Sequence, residues 1–114
     1  MTEGIVEFGE WEKIDLRVGQ IKKVEDIEGA DKLYKLEVDL GKEIGKRTVC
    51  AGLKHHYSKE DLKGRKIIVF TNLMPRKLKG IESQGMLLAA VSKDESKVHL
   101  LMPDKDIEVG SKVR

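Results

Sequence analysis

The sequence is short of several things, and each shortage removes a class of explanation. One cysteine, Cys50, means that no disulfide can form within the chain. No apolar run approaches the roughly 20 residues that cross a bilayer as a helix. The opening Met1-Thr2-Glu3-Gly4-Ile5 lacks the basic and apolar regions of a secretion signal. These points make a cytoplasmic protein the expectation. Aromatic residues are scarce, at 4%, which leaves little material for stacking bases. No GxxxxGK[ST] phosphate loop is present. Cys50, His55 and His56 do not reproduce a zinc spacing, and no second Cys/His pair exists. His99 is remote in sequence from any partner acid. Acid pairs such as Asp26 and Glu28, or Asp104 and Asp106, fall in turns and read as solvation. No cofactor, metal site or catalytic constellation is expected, so the chain reads as a binding module and not an enzyme.

What is present suits one soluble domain. The 114 residues carry 39% hydrophobic side chains, enough to bury a core without staples. Charged residues make up 37% of the chain, with 22 basic against 20 acidic for a net charge of +2. The charge is unevenly spread. Residues 62–81 hold six basic residues and no acidic one, which leaves 22 − 6 = 16 basic against 20 acidic elsewhere. A mildly acidic body therefore carries one basic stripe, the footprint of a polyanion partner. The other reading of such a stripe is a strand edge guarded by lysines.

The chain reads as short strands broken by glycine turns. Ile14, Leu16 and Val18 alternate with polar residues, as in a half-buried strand. Gly19 then interrupts, and Ile21 and Val24 continue out of phase, which predicts a bulge or bend there. Tyr34 to Leu40 and Arg47 to Leu53 form the next two strands. Ser58 and Asp61 have capping-box spacing over a short helix that Gly64 can end. Ile67-Ile68-Val69-Phe70 reads as a strand buried on both sides, and Met86 to Val91 as a fifth. Val98–Met102 and Ile107–Val113 add shorter strands. Three strands, a short helix and two strands is the order of the OB-fold, a five-stranded Greek-key barrel. The expectation is an all-β single domain over 1–114, with the barrel at about 12–91 and a strand-rich C-terminal extension at about 92–114. Another small barrel or a sandwich would also fit this rhythm.

Between the strands, residues 71–80 (TNLMPRKLKG) form a basic loop shaped by Pro75 and Gly80. Arg76, Lys77 and Lys79 can each neutralise a phosphate, and Asn72 and Ser83 can hydrogen-bond phosphate or sugar oxygens. Asn and Ser are equally habitual turn residues.

Five short motifs occur in order: Asp15-Leu16-Arg17-Val18-Gly19, Ala30-Asp31-Lys32-Leu33-Tyr34, Ala51-Gly52-Leu53, Asn72-Leu73-x-Pro75, and Gly80-x-x-Ser83-x-Gly85-Met86-Leu87-Leu88-Ala89. Together they resemble the tRNA-binding domain of three groups. These are the C-terminal domain or beta subunit of methionyl-tRNA synthetases, the structure-specific tRNA-binding proteins, and the endothelial-monocyte-activating polypeptide and its relatives. The likeness runs over about residues 12–113. It implies an OB-fold, a homodimer, and binding to the outer corner of tRNA with little sequence preference. It also implies the catalytic chain of a methionyl-tRNA synthetase as a protein partner. The matching positions for RNA contact are Lys32, Asn72, Lys77, Lys79, Ser83 and Met86. Glu28-Gly29 stands where many members have His-Pro, and Met74 where Lys or Ala is frequent. The tail Leu100-Leu101-Met102-Pro103-Asp104-Lys105 looks most like archaeal synthetase members. For the dimer interface, the apolar strand Val98-His99-Leu100-Leu101-Met102 is the candidate, with capping of its own barrel as the other role. Two alternatives stay within reach: an export-type chaperone of the same family that binds unfolded polypeptide, and a purely structural dimerisation or docking domain. The shortage of aromatics favours a folded RNA target, which is gripped through phosphates and shape.

Overall fold

A computed structural model describes residues 4–114. Five strands wrap into a nearly closed antiparallel barrel: β1 (Leu16–Asp26), β2 (Tyr34–Asp39), β3 (Lys46–Ala51), β4 (Lys66–Phe70) and, after a hairpin described below, β7 (Met86–Leu87). Their order across the sheet is β3-β2-β1-β4-β7. The remaining gap, between β3 and β7, is bridged next to β7 by Gln84. Its N–H donates to the Thr48 carbonyl at 2.8 Å, and its side-chain oxygen accepts from the Thr48 N–H at 3.0 Å. This is the OB-like barrel expected from the sequence.

Strand β2 alternates buried and half-buried residues along its whole length. Leu36 and Val38 point inward and meet Ile21, Leu40, Val49, Leu62, Ile67 and Val69 in the main core. Burying each such side chain contributes about 1.5–3 kcal/mol. Strand β4 is buried on both faces, as its unbroken apolar run requires. Ile67 and Val69 enter the main core, while Ile68 packs with Leu16 and Val18 in a second cluster on the outer side. Val113, on the C-terminal strand β10 (Lys112–Val113), covers that cluster. Strand β10 pairs with β1 at Leu16↔Val113 and Arg17↔Lys112.

The two-sided burial of β1 corrects the reading of Gly19. Leu16 and Val18 belong to the outer cluster, and Gly19 and Ile21 face inward, so the strand runs through Gly19 without a bulge. The true shift lies between Ile21 and Lys23, in the pairing with β2. Gly19 serves close approach instead. A Cβ there would lie 2.6 Å from Val38 Cγ1 and 2.9 Å from Leu40 Cδ2.

Among the described residues two helices are present where one was expected. Helix α2 (Lys59–Leu62) has the foreseen capping box: Ser58 Oγ accepts from the Asp61 N–H at 3.1 Å, and Asp61 accepts from the Ser58 N–H. The unforeseen α1 (Phe8–Glu12) opens with Glu7, whose N–H donates to Glu10 Oε1. The strand expected over 86–91 divides in two. Strand β7 stays in the barrel, and β8 (Ala89–Val91) leaves it to pair with β9 (Val98–Leu100). Strand β9 is shorter than expected, because Leu101 and Met102 lie beyond its end.

The β8–β9 turn is tied by Asp94. Its carboxylate accepts from the hydroxyl and N–H of Ser96 and from the Ser92 hydroxyl. These donors hold its pKa down from the usual 3.8 to about 2. A carboxyl depressed in the folded state adds stability that is present above its unfolded pKa and lost as pH falls through the folded one. The turn is therefore expected to loosen between about pH 4 and pH 2, read as faster exchange of the Ser96 and Lys97 amides. Asp94→Asn should flatten that acid dependence.

Candidate nucleic-acid interface

The segment between β4 and β7 is a β-hairpin and not the open loop expected from the sequence. Strand β5 (Arg76–Leu78) pairs with β6 (Ile81–Ser83) in the register Arg76↔Ser83, Lys77↔Glu82 and Leu78↔Ile81. Lys79 and Gly80 form the two-residue turn, both with positive φ (52° and 82°). This is the backbone that a tight hairpin demands. Leu78 and Ile81 flank the turn and pack on Ile27, Ala30 and Cys50, in a third apolar cluster below the β1–β2 connection. The hairpin is thereby pressed against the connection that carries Lys32. In OB-folds these two connections border the face that binds oligonucleotides.

Arg47 fastens the base of the hairpin. Its guanidinium donates to the carbonyls of Thr71 and Gln84, one at each end of the segment. Nothing in the sequence marked this residue, because an arginine on the wet face of a strand looks ordinary until its partners 24 and 37 positions away are placed.

The basic stripe of residues 62–81 does not form one surface. Lys66 Nζ reaches Asp106 at 2.8 Å and the Ile107 carbonyl, so it pins the tail. Arg65 donates to the Asp61 carbonyl and lies 5.1 Å above the ring of Tyr57. Lys54 and Lys59, beside the stripe, close on Asp26 at 3.1 and 2.8 Å and hold its carboxyl below the usual range. By contrast, Arg76, Lys77 and Lys79 are exposed and make no ion pair within 4 Å among the described residues. Glu82, opposite Lys77, is the one acid on the hairpin. Lys32 is also exposed and unpaired among the described residues.

The other proposed contacts fare differently. Met86 is 39% exposed, beside Arg76 in a groove of about 430 Å³ between the hairpin and the β8–β9 ribbon. Asn72 is at the surface, but its amide is engaged. Its oxygen accepts from the Asp15 N–H at 2.8 Å, and its nitrogen donates to the Lys13 carbonyl. That arrangement fixes the entry into β1 and leaves one lone pair and one N–H for a ligand. Ser83 is buried, at 4% exposure. Its hydroxyl accepts from the Cys50 N–H at 2.9 Å and donates to the Gly85 carbonyl, so it tethers hairpin to barrel and the surface is drawn without it. Ser83→Ala should orphan the buried Cys50 N–H and cost about 1–3 kcal/mol. Chemical denaturation would show that loss, with the salt dependence of RNA binding unchanged.

The candidate dimer strand also divides. Leu100 is buried in the main core and Val98 packs against it, so both cap their own barrel. Leu101 and Met102 remain exposed, at 43% and 47%. A further apolar surface, invisible without α1, gathers Phe8, Trp11 and Ile14 beside Val113 around a cleft of about 620 Å³. Those two aromatics do not line the groove. Tyr34 is buried, and its hydroxyl donates to the Tyr57 carbonyl. Cys50 is buried, which pushes its thiol pKa up. Among the described residues no group of three or more His, Cys, Asp or Glu could hold a metal, and no helix is long and apolar enough to cross a membrane.

Residues 16–112 match the family described as "Putative tRNA binding domain". The chain is 56% identical over 109 residues to the methionine–tRNA ligase of Pyrococcus furiosus, covering 96% of this chain and 14% of that protein. Among solved structures, a MetRS-related protein from Pyrococcus horikoshii superposes with a TM-score of 0.89 at 38% identity, covering 96% of this chain and 98% of the other. The chaperone CsaA from Bacillus anthracis superposes with a TM-score of 0.87 at 28% identity, covering 96% and 99%. A hairpin of unpaired cations on an OB-like barrel and a match across nearly the whole chain agree: the chain belongs to the tRNA-binding domain family and is a relative of methionyl-tRNA synthetases, of whose length it spans 14%.

Proposed function

We propose that this domain binds tRNA by its shape, with little regard for sequence, and serves a methionyl-tRNA synthetase as a C-terminal domain or separate beta subunit. The observation that carries the reading is the anchored hairpin, with Arg76, Lys77 and Lys79 unpaired and Lys32 on the adjoining connection. Lysine and arginine on a fixed scaffold contact phosphates and position an RNA without reading bases. No Phe, Tyr or Trp lines the groove, and His56 is the one ring in its lining, so a single strand would find no run of stacking platforms. The outer corner of tRNA offers a folded surface of phosphates and 2′-hydroxyls, the features by which structured RNA is recognised. Gel-shift titration of several unrelated tRNAs and a single-stranded oligomer, at two salt concentrations, tests this. Similar affinity for all tRNAs and poor binding of the single strand is the expected result. One tRNA bound while the others are refused would overturn it.

The domain is further proposed to act as a homodimer, since a two-fold pair is the commonest oligomer and would present two hairpins to one RNA. Sedimentation at micromolar concentration should give about twice the 12.9 kDa of one chain. Leu101→Asp with Met102→Asp should return the monomer if that strand end forms the contact. Phe8→Asp with Trp11→Asp should do so if α1 does. A wild-type monomer at that concentration would remove the dimer.

The apolar floor of the groove and the likeness to CsaA favour a second reading, capture of unfolded polypeptide. Competition between tRNA and an unfolded protein separates the two, because the tRNA reading expects the protein to leave bound tRNA in place.

A further inference from the structure

Phosphate contacts leave the groove beneath the hairpin unexplained. Leu33, Leu78, Leu87 and Val98 give it an apolar lining, and Met86 is exposed beside them. Two charged residues line it as well: Arg76 from the hairpin and Glu95 from the β8–β9 turn. Glu95 forms no ion pair among the described residues. Its backbone has φ 62°, an unusual conformation for a side chain of this size. Asp94, one residue before it, ties the turn that holds it there.

We infer that this groove takes a single unstacked guanine of the bound RNA, with its ring on the apolar lining, its N1–H and N2–H edge on the Glu95 carboxylate, and its phosphate on Arg76. The inference rests on the tRNA reading above and adds one base contact to its backbone contacts, so that tRNAs presenting an unpaired guanine at this place still bind alike. At about 430 Å³ the groove lies within the size range of small-ligand sites. An ionised carboxylate only accepts hydrogen bonds. Guanine presents two adjacent donors to it, whereas uracil presents one donor flanked by two carbonyls that repel it. Unpaired bases in RNA loops are held in this way, through their Watson–Crick edges. Charge complementarity selects the occupant: an apolar peptide has no use for a guanidinium and a carboxylate lining the same groove, and a nucleotide uses both.

The test is a set of amide NMR titrations of the protein with GMP, UMP, inorganic phosphate and an apolar peptide, repeated on Glu95→Gln, with tRNA binding measured on the same samples. GMP is expected to move the amides of Met86, Glu95 and Val98 and to bind at least about tenfold more tightly than UMP. In Glu95→Gln, GMP should fall to within about threefold of UMP, because an amide offers one acceptor where the carboxylate offers two. Equal binding of GMP and UMP would overturn the inference. So would the same shifts with phosphate alone, or occupation of the groove by the peptide and not by GMP. If tRNA binds while GMP and UMP are not distinguished, only the base site falls. If GMP is selected while tRNA fails to bind, the base site stands and the tRNA reading falls.

Discussion

Replacing Arg76, Lys77 and Lys79 together by alanine is expected to lower the slope of log affinity against log salt by about 2–3 for every tRNA tested. Each neutralised phosphate releases counterions worth about 0.7–0.9 in that slope. If wild type and variant converge near 1 M salt, where the electrostatic contribution has been screened away, the gap at 0.1 M becomes about 100–500-fold. Glu82 faces Lys77 across the hairpin and dampens its share, which argues for the lower part of that range. The fold should be almost untouched, because all three side chains are exposed and unpaired among the described residues. Exposed substitutions of this kind shift stability by about 0.5 kcal/mol or less. Filter binding over a salt series, beside a thermal melt, measures both quantities. A loss of affinity with an unchanged slope would mean that the hairpin acts through shape and not charge. Doing the same to Lys63, Arg65 and Lys66 should leave the slope nearer wild type, since Arg65 and Lys66 are engaged with the molecule's own backbone, ring and tail.

Gly19→Val is expected to cost about 3 kcal/mol or more, at the upper end of overpacking penalties. Two effects oppose the loss. Valine favours extended backbone, and it narrows the unfolded ensemble, each by up to about 1 kcal/mol. Contact distance decides the balance. The first added carbon alone would sit 2.6 Å from Val38 Cγ1 and 2.9 Å from Leu40 Cδ2. Val38 is β-branched and fully buried, so its methyl has no free rotamer to retreat to. At roughly 4 °C for each kcal/mol in a chain of this length, the melting temperature should fall by about 12 °C or more. Pairing Gly19→Ala with Val38→Ala makes room for the new carbon, so the double variant should be more stable than the sum of the two single losses. Simple additivity would show that the two sites do not touch.

These two sites also mark what sequence reasoning could and could not reach. Strand β2 and the capping box at Ser58 and Asp61 were legible, because each is a local pattern with a local cause. Gly19 was legible as special but not for its reason. Reading one buried face made Ile21 look out of phase, and only the tail lying over Leu16, Val18 and Ile68 shows that β1 has two. Helix α1 was hidden because Phe8–Glu12 contains a glycine and two aromatics and is capped by glutamates instead of Ser, Thr or Asn. The hairpin was half visible. Lys79-Gly80 has the spacing of a two-residue turn, yet lysine in place of Asn or Asp disguised it. Serine is at home in both loops and interiors, so the burial of Ser83 could come only from the strand placed opposite it. The placement of Glu95 and Arg76 along one groove brings together connections that sequence alone leaves unrelated.

Strand β1 takes partners from residues 34–39, 66–70 and 112–113. Closing the last of these brings together positions 97 apart (Leu16 with Val113), and the entropy of such a closure must be met before the contact gives anything back. Folding should accordingly be slow for a domain this small, in the range of milliseconds to seconds typical of all-β barrels. On the ribosome, β1, β2 and β4 can pair while the apolar outer face of Leu16, Val18 and Ile68 still waits for residue 113 to emerge. Every newly made copy therefore passes through an interval in which that face is uncovered, and the final strand ends the interval by sealing it.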